Sequence, residues 1–140
     1  MKNTVDRRDF LQKSSLAVAG SLLLPQLGKS AIQNDAKVRL GFIGVGLRGR
    51  NHLHNTLAFP MVEVTCICDI DPQAITAAQK ILREAGKKEA AVYGKNEHDF
   101  ENMVKRDDLD GVVIATPWEW HVPMALATMK AGKYAGLVVS

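Results

Sequence analysis

Leu40-Gly41-Phe42-Ile43-Gly44-Val45-Gly46-Leu47-Arg48-Gly49-Arg50 reads as a short apolar strand, a glycine turn and the start of a helix. Gly44, Gly46 and Gly49 fit the spacing G-x-G-x-x-G. Each position has its own physical task. Gly44 permits the tight turn off the strand. Gly46 carries no Cβ, so a pyrophosphate can approach the main chain. Gly49 lets the helix pack close to the sheet. The new helix then offers unpaired N–H groups and a partial positive charge to an anion.

The flanking sequence agrees with a dinucleotide turn. An apolar run with Val38, Leu40, Phe42 and Ile43 precedes it, and a second strand, Val62-Glu63-Val64-Thr65-Cys66-Ile67-Cys68, follows the helix. That strand runs into Asp69, twenty residues after Gly49. An acid there would accept hydrogen bonds from an adenosine ribose, and its charge would repel the 2′-phosphate of NADP. The alternative is a glycine turn that only packs a strand against a helix.

Beyond this turn the chain alternates strand and helix. Strands are expected at about 37–43, 62–69, 90–93, 111–116 and 134–139. Helices are expected at about 47–58, from Pro72 to near Gly86, at about 99–105 and at about 122–131. Pro72 suits a first helical turn, where a missing N–H costs little. Gly132 suits the end of the last helix. The run Val112-Val113-Ile114-Ala115 is apolar throughout, as a strand covered on both faces must be. Short links between alternating elements predict an α/β fold of Rossmann type, a doubly wound parallel sheet with helices on both faces. Ligands then bind beyond the carboxyl ends of the strands.

Composition narrows the functional classes. Within 140 residues there is room for one ordinary domain, and 46% hydrophobic with 24% charged residues is a globular balance. The net charge of +3 arises partly from Arg7 and Arg8, so it carries no nucleic-acid footprint. Cys66 and Cys68 stand two apart in a strand and share a face. They read as two small buried residues under a helix, and no metal site is expected around them.

Residues 1–30 differ from the rest. Asp6-Arg7-Arg8-Asp9-Phe10-Leu11-Gln12-Lys13 leads into an apolar segment from Ser14 to Leu24. A charged start, a short apolar middle and a polar exit make a signal peptide, and the paired arginines resemble a twin-arginine export signal. The expected organisation is therefore a signal peptide over 1–30, a linker over 31–36 and the folded domain over 37–140. The expected location is periplasmic or cell-envelope, with no transmembrane anchor. The twin-arginine route, as that resemblance implies, exports proteins already folded, so a cofactor can be carried out with them.

Three residue groups invite a closer reading. In Trp118-Glu119-Trp120-His121 the aromatic faces could pack on a ribose, a nicotinamide or a sugar, and His121 could exchange a hydrogen bond near neutral pH. Equally, His121 could cap the last helix while the tryptophans pack against another domain. Arg48 lies where phosphates would lie and could pair with them, or be solvated. His52 and His54 read as a solvated helix face, and His98 as surface.

Gly44-Val45-Gly46-Leu47-Arg48-Gly49, Cys68-Asp69-Ile70-Asp71-Pro72, Ala115-Thr116-Pro117-Trp118-Glu119-Trp120-His121 and Ala131-Gly132-Lys133-Tyr134 together resemble the oxidoreductase family of glucose–fructose oxidoreductase and inositol dehydrogenase (Gfo/Idh/MocA). The Trp118–His121 segment and the twin-arginine start are similar to its NAD-dependent α-N-acetylgalactosaminidase branch.

That resemblance implies a tightly held NAD contacted by Leu47, Arg48, Asp69 and Trp118 through His121. It implies hydrolysis of a sugar or glycan substrate by transient oxidation at C3, loss of the C2 proton, elimination of the aglycone, water addition and return of the hydride. It implies a second α/β domain beyond this chain. That domain would hold most substrate contacts and acid/base groups, so the catalytic residues are not assigned here, and any oligomer contact would run through it. The family carries a glutamate after the fifth strand; here Val138 takes that place. The alternatives are a sugar or polyol dehydrogenase of the same family, or a fragment that only binds nucleotide.

Overall fold

The computed structural model describes residues 36–139, and the expected signal peptide and the linker up to residue 35 lie outside the described residues. The element order is β1 (Val38–Ile43), α1 (Leu47–Thr56), β2 (Val62–Cys68), α2 (Pro72–Glu84), β3 (Ala91–Tyr93), α3 (Phe100–Met103), β4 (Gly111–Ile114), α4 (Trp118–Lys130) and β5 (Tyr134–Leu137). All strand pairs are parallel, in the order β3-β2-β1-β4-β5. The expected α/β doubly wound sheet is thus observed.

The two faces follow from alternation along each strand. On β1, Phe42 points to one side and Ile43 to the other. Phe42, Val64 and Ile67 pack with Leu53 of α1 and with Ala74, Ala78 and Leu82 of α2. Ile43, Cys66, Cys68, Val112 and Ile114 pack with Phe100 and Met103 of α3 and with Met124 and Ala125 of α4. The two cysteines do share a face and are buried free thiols. Burial pushes both thiols up, Cys68 to about 12.

The N-terminal ends of β1 and β4 are pinned by one ion pair. Arg39 Nη2 meets Asp110 Oδ1 at 2.8 Å, while Arg39 N–H and Nε donate to Oδ2 at 2.8 and 3.1 Å. These bonds to Arg39 hold the Asp110 carboxyl down at about 2. At the opposite end the ladder continues past the strands. Gly44 N–H donates to Cys68 O at 2.8 Å, Asp69 N–H to Tyr93 O at 3.0 Å and Ala115 N–H to Ile43 O at 2.8 Å. The carboxyl ends of β3, β2, β1 and β4 are therefore held level with one another.

Two elements differ from expectation. The last helix begins at Trp118, four residues before the expected 122. Pro117, with φ −55°, leads the chain directly into the helix, and Pro123 is accommodated inside it. The expected helix over 99–105 is one turn, Phe100–Met103, closed by looser bonds on either side.

Candidate functional site

A cavity of about 250 Å³ opens at the carboxyl ends of β1, β2 and β4. The strand order places α1 and α4 on either side of a switch point between β1 and β4, where open sheets take ligands. Its wall includes Gly44 and Gly46 from the glycine turn, Cys68 and Asp69 from the end of β2, and Thr116, Pro117 and Trp120 leading into α4.

Two glycines of the turn are sterically obligatory. Gly44 has φ +83°, and a Cβ there would lie 2.8 Å from the Ala115 carbonyl. A Cβ on Gly49 would lie 1.9 Å from Gly44 O, so α1 seats directly on the turn. Gly46 is different. A Cβ there meets nothing within 4 Å, so the main chain at Gly46 faces open space.

The two helices that follow β1 and β2 are capped in opposite ways. Asp71 caps α2, accepting from Gln73 N–H at 2.9 Å. Gly46 begins α1 with no side-chain cap and no acid in the first turn. The first N–H groups of α1 therefore have no partner inside the helix or from a cap, and they carry the positive end of its dipole. An open main-chain surface, an uncapped helix start and a carboxylate one crossover away form the donor and acceptor set that NAD requires: N–H groups for diphosphate and Asp69 for ribose hydroxyls.

Asp69 is itself fixed. Its Oδ2 accepts from Val45 N–H at 2.8 Å and its Oδ1 from Asp71 N–H at 2.9 Å. Each oxygen keeps a free lone pair for a hydroxyl. Leu47 and Arg48 are exposed on the first turn of α1, and Trp118 and Glu119 on that of α4; none of the four lines the cavity wall, nor do Gly49 and His121, which are buried. Trp118 is 66% exposed. His121 is buried, and its Nε2 lies 2.8 Å from Thr116 O, so it braces the β4–α4 link. Val138 continues the β5 ladder through Ile114 O at 2.9 Å and does not line the cavity.

The sequence reading missed the segment after β3. Asn96 and Glu97 line the cavity. Asp99, 4% exposed, accepts from Gly94 N–H at 2.7 Å, Lys95 N–H at 3.0 Å and Asn102 Nδ2 at 2.9 Å. A Cβ on Gly94 would stand 2.1 Å from the main-chain O of Asp69, so this loop abuts the end of β2. His98 is exposed, as expected, and it also meets the Trp120 ring edge-on at 5.6 Å and Glu101 at 3.3 Å. An acid after a short strand was the available signal, but its burial and contacts depend on β3 lying beside β2.

The sequence model of an oxidoreductase family with an NAD-binding Rossmann fold matches residues 38–139. A glycosyl hydrolase family 109 protein of Parabacteroides distasonis is 41% identical over all of this chain, which spans 33% of that relative. A second, from Saccharopolyspora erythraea, is 40% identical over 96% of this chain and 33% of its own length. The chain thus spans about a third of the length of these curated relatives. Among solved structures, myo-inositol dehydrogenase from Lactobacillus casei in complex with NAD(H) and myo-inositol superposes with a TM-score of 0.59 at 26% identity, over 72% of this chain and 28% of that one.

Proposed function

The chain belongs to the Gfo/Idh/MocA oxidoreductase family, and from that premise we propose that it is the NAD-binding domain of an exported, NAD-dependent glycosidase of α-N-acetylgalactosaminidase type. The observation that carries the cofactor is the uncapped start of α1 beside Gly46, with Asp69 held at the same cavity. Relatives named as family 109 glycosyl hydrolases support the glycosidase over other family members. The charged, then apolar, start of the chain supports export.

In this reading each wall of the cavity has one task. The N–H groups of Leu47 and Arg48 take the diphosphate, with the Arg48 guanidinium adding charge from the rim. Asp69 accepts from the adenosine ribose. Trp120 presents an aromatic face at the other end, and His121 holds the Thr116 turn that carries it. When bound, NAD supplies a reversible hydride acceptor for the transient C3 oxidation that makes the sugar's C2 proton acidic. A cofactor that is restored in each cycle suits a compartment without a ready pool of it.

A sugar or polyol dehydrogenase is the second reading, favoured by the likeness to the L. casei inositol dehydrogenase. Product analysis on a protein of the relatives' length carrying this domain separates them. Free N-acetylgalactosamine without NADH accumulation supports the glycosidase; stoichiometric NADH release with polyol or sugar supports the dehydrogenase. Calorimetric titration of this chain with NAD tests the binding role directly, and absence of saturable binding would overturn it.

A further inference from the structure

Among the described residues the cavity is lined by two charged side chains, Asp69 and Glu97, and by no lysine, arginine or histidine. Within the wall a diphosphate would meet main-chain N–H groups, with Arg48 only at the rim, and the charged side chains of the wall itself are all acidic. The two carboxylates are not equivalent. Asp69 is fixed by two N–H donors whose dipoles offset part of its charge. Among the described residues Glu97 has no ion pair.

The loop carrying Glu97 is held against Asp69. Asp99 fixes its start through Gly94 and Lys95, and Asn96 Oδ1 accepts from His98 N–H at 2.8 Å. The near-contact of Gly94 with Asp69 O keeps the loop on the ribose side of the site. Lys95 and Arg48 stand outside the wall, and His98 is turned to Trp120 and Glu101.

On the NAD-binding reading given above, we infer that Glu97 is a specificity-determining residue, acting with Asp69 to exclude dinucleotides that carry a 2′-phosphate. A phosphate dianion on the adenosine ribose would sit beside Asp69 and in the field of Glu97, without a cation in the wall to meet it. Like charges facing one small cavity, partly screened by water, change affinity by about several-fold each. NAD lacks that phosphate and is unaffected by the same charge.

The experiment measures the dissociation constants of NAD and NADP for this chain by calorimetry at low salt, for the wild type and for Glu97→Gln and Glu97→Lys. Glu97 is exposed and makes no bond that folding requires, so both variants should fold. The expected result is a fall in the NADP-to-NAD ratio of about fivefold for Glu97→Gln and more for Glu97→Lys, with NAD affinity held within about twofold. Ratios that stay within twofold of wild type in both variants overturn the inference. So does equal weakening of both dinucleotides, which would mean that Glu97 only shapes the loop. Absence of NAD binding by the wild type removes the binding reading itself, a distinct outcome.

Discussion

Val45 N–H donates to Asp69 Oδ2 across 2.8 Å, joining the glycine turn to the carboxyl end of the next strand. One carboxylate thereby sets the shape of the glycine turn and also lines the cavity. Val45 is fully buried, so its N–H has no water to turn to. Asp69→Ala is expected to cost about 1–3 kcal/mol for the orphaned donor, and to weaken NAD by more than about tenfold. Asp69→Asn retains one carbonyl acceptor and should recover most of the stability but not the affinity. Denaturant melts and calorimetric titration of the pair check both effects; unchanged NAD affinity in Asp69→Ala would remove the ribose role.

The glycine turn makes a sharper contrast. Gly49→Ala drives a methyl into Gly44 O, which is main chain and cannot rotate away. A loss of about 2–3 kcal/mol or more is expected. Gly46 has φ −65°, which any residue adopts, and open space where a Cβ would go. Gly46→Ala should therefore melt near the wild-type temperature while NAD binding falls at least about tenfold, because the methyl stands where phosphate must approach. A Gly46→Ala protein that binds NAD normally would show that the diphosphate lies elsewhere.

These contrasts show what was legible in the sequence. G-x-G-x-x-G, the apolar runs and Asp69 are local signals, since each depends on a few neighbouring residues, and they were enough for the sheet and one side of the cavity. The start of α4 was not legible. Trp118-Glu119-Trp120-His121 lies between Pro117 and Pro123, and the first proline opens the helix while the second is absorbed within it. The loop 94–99 was not legible because its role depends on β3 pairing with β2, which sets Gly94 against Asp69. Asp99 and Glu97 look like surface acids until that pairing is known.

Acid should also loosen the opposite end of the sheet. Hydrogen bonds from the Arg39 side chain and main chain hold the Asp110 carboxyl at about 2, below its ordinary value. A group depressed in the folded state stabilises it above the unfolded value near 4. That contribution is lost as pH falls through the window from about 4 to about 2. Asp99 and Asp108 are shifted the same way, Asp99 chiefly by Asn102 and Asp108 by Arg106. Asp110→Asn should therefore flatten the acid limb of a stability-versus-pH curve without altering its neutral plateau's slope. An acid limb identical to wild type would mean that Asp110 titrates normally.

Cys68 lines the cavity yet should be chemically quiet. Desolvation pushes its thiol up to about 12, so the reactive thiolate is scarce at pH 8. Iodoacetamide at that pH should leave the native chain unmodified over minutes and add to both Cys66 and Cys68 once urea unfolds it. Mass spectrometry reads the difference as zero against two adducts. Rapid native labelling at Cys68 would show that the wall opens to solvent.

The last prediction concerns the two tryptophans, Trp118 and Trp120, which are the whole of the chain's indole fluorescence. They sit in one helical turn but in different surroundings. Trp120 lines the cavity and is gripped edge-on by His98 and by Phe100 at 6.3 Å, whereas Trp118 is 66% exposed and lies off the wall. NAD should therefore quench Trp120 and leave Trp118 nearly unchanged. Trp118→Phe should retain the full binding signal and NAD affinity within about twofold, while Trp120→Phe should lose the signal and weaken NAD several-fold, an aromatic contact being worth about 1 kcal/mol. If the quench instead follows Trp118, the cofactor reaches the exposed face of α4 rather than the cavity wall at Trp120.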